Sequence, residues 1–254
     1  RRDDSLVLAG LANGKIALYP VSEILQEPDT DPIELKLGES YEPLRCIVRN
    51  IGDRKLIASC GTKIIVMDTR EGVAVDKIIN IEENSGPASQ PILTMACGRH
   101  LFLSRRNQTV VQAWDIQRDR RKAFMDISQQ FKLLAKNSRI TAMVLNGCVL
   151  WVGTGGGHLV MIDVVTWSPL TVTHRHTASI RCLLAVRLAG SGKYGPPNTS
   201  LILSGGLGFR SRPDADVDKE SQYGCIAVWE ADMPQVMNTL KDQAIKRQHL
   251  LDKQ

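Results

Sequence analysis

The sequence predicts an all-β protein built as a β-propeller, and three observations carry that prediction. Apolar runs that end in an aromatic or aliphatic residue followed by an acid recur as IIVMDT (Met67-Asp68), VVQAWDI (Trp114-Asp115), HLVMIDV (Ile162-Asp163) and IAVWEA (Trp229-Glu230). A degenerate copy, KIALYPV, places Tyr19-Pro20 at the same point. The second residues of these pairs stand at 20, 68, 115, 163 and 230, giving steps of 48, 47, 48 and 67. Each copy follows another strand-like run that closes in a tight, mostly glycine-rich turn: LVLAGLANG, LIASCGT, LFLSRRNQ, VLWVGTGGG and LILSGGLG. Further runs flank these pairs, so the unit holds four short strands. Four strands every ~40 to 50 residues, with a WD-like dipeptide ending the third, describe a propeller blade.

The first strands of the units are LRCIVRN, ILTMACG, RITAMVLNG and SIRCLLAVR, and the fourth are VAVDKIINI, KAFMDIS and PLTVTHRH. Five strand pairs are present, and the first, Leu6 to Tyr19, has no first strand before it. A seven-bladed ring needs about 280 to 315 residues. The chain therefore reads as five blades or partial blades of such a ring, occupying residues 1–232 and leaving two open sheet edges. Ser128 to Asn137 carries an N-cap-type serine and apolar residues at helical spacing, which predicts a short helix between blades. Arg210 to Gln222 is charged and aperiodic, a loop that lengthens the last repeat. Residues 233–254 keep helical spacing through Met233, Met237, Leu240 and Ala244, which predicts a terminal amphipathic helix needing a surface to cover it.

Composition bounds the function. With 43% hydrophobic and 23% charged residues the chain is a folded domain, and no apolar run nears the ~20 residues of a membrane helix. The start, Arg1-Arg2-Asp3-Asp4, carries no signal-peptide core, so a cytoplasmic protein is expected. A formal charge of +5 spread along the chain does not argue for nucleic acid. Six cysteines sit among apolar residues without a CxxC pair, which suits buried free thiols and counts against a zinc site.

Glycine-rich strings offer no phosphate loop. Gly153 to Gly157 runs into a strand rather than a helix, and GSGK at Gly190 to Lys193 is followed by Tyr194 where a magnesium-binding hydroxyl belongs. His176, in HRHTASIRCL, is expected in a buried network with Ser179 and Trp229. A Ser-His-Asp site has no nucleophile-elbow motif to support it. Trp114 and Trp229 are read as packing between blades, and Asp68, Asp115 and Asp163 as structural residues of the blades. Trp167 falls beyond a strand end, where it is either packed or an exposed binding anchor. Arg99, Arg105, Arg106, Arg118, Arg120, Arg121 and Lys122 fall in one repeat, mostly in expected turns, either as a solvated rim or as a positive patch for an acidic protein surface. No catalytic residue, metal ligand or cofactor is assigned to the chain.

LWVGTGGGHLVMIDV, CIAVWEADMPQVMNTLKDQAIKRQ, LVLAGLANGKIALY and CGTKIIVMD together resemble the carboxyl-terminal WD-repeat domain of the leucine-rich-repeat kinases, the Roco family. Glu230, where the last pair usually has aspartate, departs from the pattern. The resemblance implies a noncatalytic scaffold within a large cytosolic protein. That parent would hold a GTP-binding domain, a dimerisation segment and a serine/threonine kinase acting on Rab GTPases, with ATP, magnesium and GTP serving those other domains. It also implies self-association, peripheral membrane or cytoskeletal association, and packing of the terminal helix against the kinase domain. The propeller of a Rho exchange factor or a vesicle-transport adaptor is the alternative, which the terminal helix opposes. A propeller hydrolase would need clustered acids or a metal set at strand starts.

Overall fold

The computed structural model describes residues 5–27, 29–37, 42–50, 54–70, 72–81, 90–131, 138–174, 176–187, 200–208 and 224–231. The expected helix at 233–254 and the loop between 210 and 222 lie outside the described residues. Eighteen strands and two single-turn helices are described, in five antiparallel sheets. The first sheet holds β1 (Leu6–Gly10), β2 (Lys15–Pro20) and β3 (Ile33–Lys36), with α1 (Val21–Ile24) between the last two. The second holds β4 (Leu44–Asn50), β5 (Lys55–Cys60), β6 (Lys63–Asp68) and β7 (Ala74–Asn80). The third holds β8 (Ile92–Cys97), β9 (Leu101–Arg105), β10 (Val110–Asp115) and β11 (Arg120–Asp126), followed by α2 (Ile127–Gln130). The fourth holds β12 (Ile140–Asn146), β13 (Val149–Thr154), β14 (His158–Asp163) and β15 (Ser168–His174). The fifth holds β16 (Ile180–Arg187), β17 (Ser200–Leu207) and β18 (Gly224–Ala231). This is a β-propeller arrangement of five blades, each a meander of neighbours in sequence.

Stacking the sheets face to face explains the continuous apolar runs of the second and third strands. Ile16, Leu44, Leu56 and Ile65 fill the junction of blades 1 and 2. Ile57, Val66, Ile92 and Leu101 fill the next, Phe102, Val111, Ile140 and Leu150 the third, and Trp151, Leu159, Ile180 and Ile202 the fourth. A strand between two such junctions has both faces buried, as Val149–Thr154 does throughout. Outer strands β7 and β11 instead carry mostly exposed side chains.

Two backbone devices repeat from blade to blade. The inner strands β4, β8, β12 and β16 each shift register after their first residue, skipping Arg45, Leu93, Thr141 and Arg181. Such bulges bend a strand and sharpen its twist, which lets successive inner strands turn around a common axis. The N–H groups of Leu44, Ile92 and Ile140 donate to the carbonyls of Leu11, Gly61 and Gln108 in the turn of the preceding blade, at 3.0, 2.8 and 2.8 Å. Close approach needs a small residue at Gly153, where a Cβ would stand 2.7 Å from Ile180 Cγ2. Gly157, at φ +82°, would place one 2.8 Å from the Ala178 carbonyl oxygen and against that of His176.

The short helix is capped differently from the sequence expectation. Asp126 is its N-cap, accepting from the Ser128 N–H at 3.0 Å and the Ser128 hydroxyl at 2.7 Å, so Ser128 lies inside the turn. Among the described residues no strand pairs with the inner edge of β1 or the outer edge of β18, and Ile226 and Val228 stand exposed. No helix among them is long and apolar enough to cross a membrane. All six cysteines are free, but only Cys60 is buried: Cys46, Cys97, Cys148 and Cys225 are half-buried and Cys182 is exposed.

Candidate functional site

Antiparallel meanders put alternate turns at opposite ends of a blade, and that geometry divides the basic residues of blade 3. Arg106 lies in the β9–β10 turn, whereas Arg118 lies in the β10–β11 turn and Arg120 and Arg121 open β11 at the other end. Arg121 holds its guanidinium 5.4 Å from the ring centroid of the exposed Phe124, a cation–π contact. Arg105 is not a rim residue. It closes β9 and is only 2% exposed, with Nη2 donating to the Ile81 carbonyl at 2.5 Å and Nη1 to that of Gln90 at 3.5 Å. The side chain thereby ties the start of the third blade to the end of the second.

Trp167 is packed. At φ 53° its backbone turns the indole back across the junction of blades 3 and 4, where Nε1 donates to the Phe124 carbonyl at 3.0 Å. The ring stacks with Phe102 at 6.0 Å between centroids.

The residues read as structural divide into two jobs. Asp68, Asp115 and Asp163 each accept main-chain N–H bonds from the turn that follows the third strand. Asp68 takes Arg70 at 2.9 Å, Asp115 takes Gln117 and Arg118 at 3.1 and 3.2 Å, and Asp163 takes Val165 at 2.9 Å. A carboxylate that bonds its own backbone two residues on sets such a turn, which is why an acid recurs at this point of the repeat. The Arg70 guanidinium beside Asp68 draws that carboxyl down to about 2.

The tryptophans Trp114 and Trp229 flank the blade junctions. Trp114 Nε1 donates to Gln112 Oε1 at 2.9 Å, and Trp229 Nε1 donates to Ser204 Oγ at 2.7 Å. His176 Nε2 meets the same hydroxyl at 2.8 Å, and Cys225 Sγ lies 3.4 Å from His176 Nδ1. The network therefore runs His176, Ser204, Trp229, with Ser204 in the place expected of Ser179. Burial pushes the His176 imidazole below its ordinary pKa, against the opposing hydrogen bond that the ring donates to the Gly208 backbone. The Glu230 side chain lies outside the described residues.

Blades 2 and 3 form a half-open cleft of about 790 Å³ at the end of the blades where the β10–β11 turn lies. Its walls carry Arg49 from the end of β4, Arg99 and His100 from the β8–β9 turn, Asp115 and Arg118 from the β10–β11 turn, and Lys122 from β11. Arg49 also lines the central channel, where Arg45 and Arg181 stand among apolar inner-strand residues. Burial opposes ionisation of Asp115, but the Arg118 N–H, the Lys122 charge and the Gln117 N–H outweigh it and hold the carboxyl below its ordinary value. Arg49 is a cleft residue that sequence reasoning missed. Its signal was a basic residue at the end of an otherwise apolar first strand, LRCIVRN. Among the described residues no group of three or more His, Cys, Asp or Glu is placed to hold a metal ion.

Residues 1–229 match the family model described as the LRRK2 beta propeller. Among solved structures, the chain is similar to Saccharomyces cerevisiae Sqt1, with a TM-score of 0.58, 8% identity, and coverage of 80% of this chain and 54% of that one. It is similar also to a chain of the Mitotic Checkpoint Complex, with a TM-score of 0.52, 17% identity, and coverage of 80% and 54%. Both likenesses show the propeller fold alone. The chain spans about half the length of each.

Proposed function

The chain belongs to the LRRK2 beta-propeller family, and from that premise we propose that it is the noncatalytic protein-interaction domain of a multidomain Roco kinase. In this reading the five blades belong to a seven-bladed ring in a cytoplasmic protein whose GTP-binding and ATP-dependent kinase domains, the latter acting on Rab GTPases, lie elsewhere in the polypeptide. The propeller holds that protein's own kinase domain and other partners, a second copy of the parent among them. Met233, Met237, Leu240 and Ala244 form the apolar stripe that docks on the kinase domain.

The observation that carries the reading is the family match over residues 1–229, which ends just before the helical spacing that begins at Met233. The side chains assigned above suit a scaffold. The acids set turns, the His176 network is buried in a blade, and the basic residues of blade 3 other than Arg105 lie on turns and strand starts at the blade ends. Propellers leave such turns free to vary while the stacked sheets stay rigid.

The test is light scattering on size-exclusion fractions of the complete propeller mixed with the kinase domain, with and without residues 233–254. Co-elution that depends on the segment supports the proposal. Separate elution of the intact propeller and the kinase domain contradicts it.

A further inference from the structure

We propose that the cleft between blades 2 and 3 is a binding site for an extended acidic segment of a partner protein, held by Arg49, Arg99, Arg118 and Lys122. The inference rests on the protein-interaction reading above and names a site and a ligand chemistry for it.

Three elements of two blades converge to make the cleft. Arg49 ends the inner strand of blade 2 beside the central channel, Arg99 stands on the first turn of blade 3, and Arg118 and Lys122 stand on its outer turn and strand. The four cations therefore come from elements that range from the inner strand of blade 2 to the outer strand of blade 3, a spread suited to an extended chain rather than to a compact ion.

Their charge is poorly answered from within. Among the described residues Asp115 is the one carboxylate on the cleft wall, 3.7 Å from Lys122 and 4.0 Å from Arg118, and it already accepts two turn N–H groups. Arg49 and Arg99 are exposed and make no ion pair among the described residues. Guanidinium groups present paired donors that match carboxylates two at a time. The volume of about 790 Å³ falls within the ~300 to 1,000 Å³ usual for binding clefts.

Charge alone would also suit a nucleic acid, and the walls decide between them. Among the described residues no Phe, Tyr or Trp lines the cleft, so bases find no stacking platform there, while a peptide needs none.

The experiment is fluorescence anisotropy of a labelled hexaglutamate peptide titrated with the intact protein. Three forms are compared: the wild type, an Arg49→Glu/Arg99→Glu variant, and an Arg45→Glu/Arg106→Glu variant that changes net charge equally at the opposite ends of the blades. The proposal expects wild-type binding that weakens with added salt. It also expects a loss of about tenfold in the cleft variant and less than about twofold in the control. Equal losses in both variants reduce the effect to net charge and overturn the site. No wild-type binding, or tighter binding of a labelled single-stranded oligonucleotide, overturns it as well. Kinase-domain association, read by light scattering on the same proteins, reports on the interaction reading independently of these outcomes.

Discussion

His176 Nε2 and Ser204 Oγ stand 2.8 Å apart, with the Trp229 indole donating to the same hydroxyl at 2.7 Å. One side-chain oxygen from β17 thus satisfies a ring from the loop before β16 and a ring from β18. This joins three segments of blade 5 that are far apart in sequence.

Removing that hydroxyl takes a partner from a buried imidazole and a half-buried indole. Ser204→Ala is expected to lower stability by about 1–3 kcal/mol. Ser104 holds the same place in LFLS that Ser204 holds in LILS, but its hydroxyl is buried without a hydrogen-bond partner. Ser104→Ala is therefore expected to cost less than about 0.5 kcal/mol. Denaturant titration of both variants measures the difference.

Acid acts through the same imidazole. His176 in the folded protein has a pKa below the ordinary 6.5, so between those values the unfolded chain binds more protons than the folded one. Its part in stability is intact above pH 6.5, is lost progressively as pH falls toward the folded pKa, and changes no further below it. Melting temperatures from pH 7.5 down to about 5 should fall less steeply for His176→Asn than for the wild type.

Arg105 and Trp167 are expected to affect stability and not binding. Arg105→Ala leaves the Ile81 carbonyl without its donor and is expected to cost about 1–3 kcal/mol. Trp167→Ala gives up the Phe102 stack and the bond to Phe124 and should cost about 2–4 kcal/mol. Thermal shifts paired with hexaglutamate anisotropy check both, and a variant that stays as stable as wild type while losing peptide would reverse the assignment.

Backbone space gives a contrast between two glycines. Gly157→Ala meets the His176 and Ala178 carbonyl oxygens from a left-handed backbone and should cost more than about 2 kcal/mol. Gly224→Ala meets nothing within 4 Å and should be tolerated. Soluble yield and melting temperature of the two variants report the difference.

The blades were legible because three of them repeat a local chemical event, an apolar strand closing on an acid that bonds its own turn. Asp68, Asp115 and Asp163 do this in three successive blades. What sequence reasoning missed lies between blades. Arg105 looks like a turn residue beside Arg106, but β9 runs one residue further and carries the guanidinium into the junction. For Trp167, beyond a strand end, the sequence left packing and exposure both open, and only the fold shows its ring stacked on Phe102. Ser179 is near His176 in sequence, whereas Ser204 is near it in space. The cleft draws Arg49 and Arg99 from separate sheets, and no window of sequence holds both.

The central claim is that this propeller serves as a docking body within a kinase. Cross-linking mass spectrometry on the intact protein tests it most directly, through Lys241 and Lys246 of the terminal segment. The account predicts cross-links from these lysines to the kinase domain that disappear when Met237 and Leu240 are both changed to Asp. Cross-links from Lys241 and Lys246 confined to the propeller itself, unchanged by those substitutions, would contradict it.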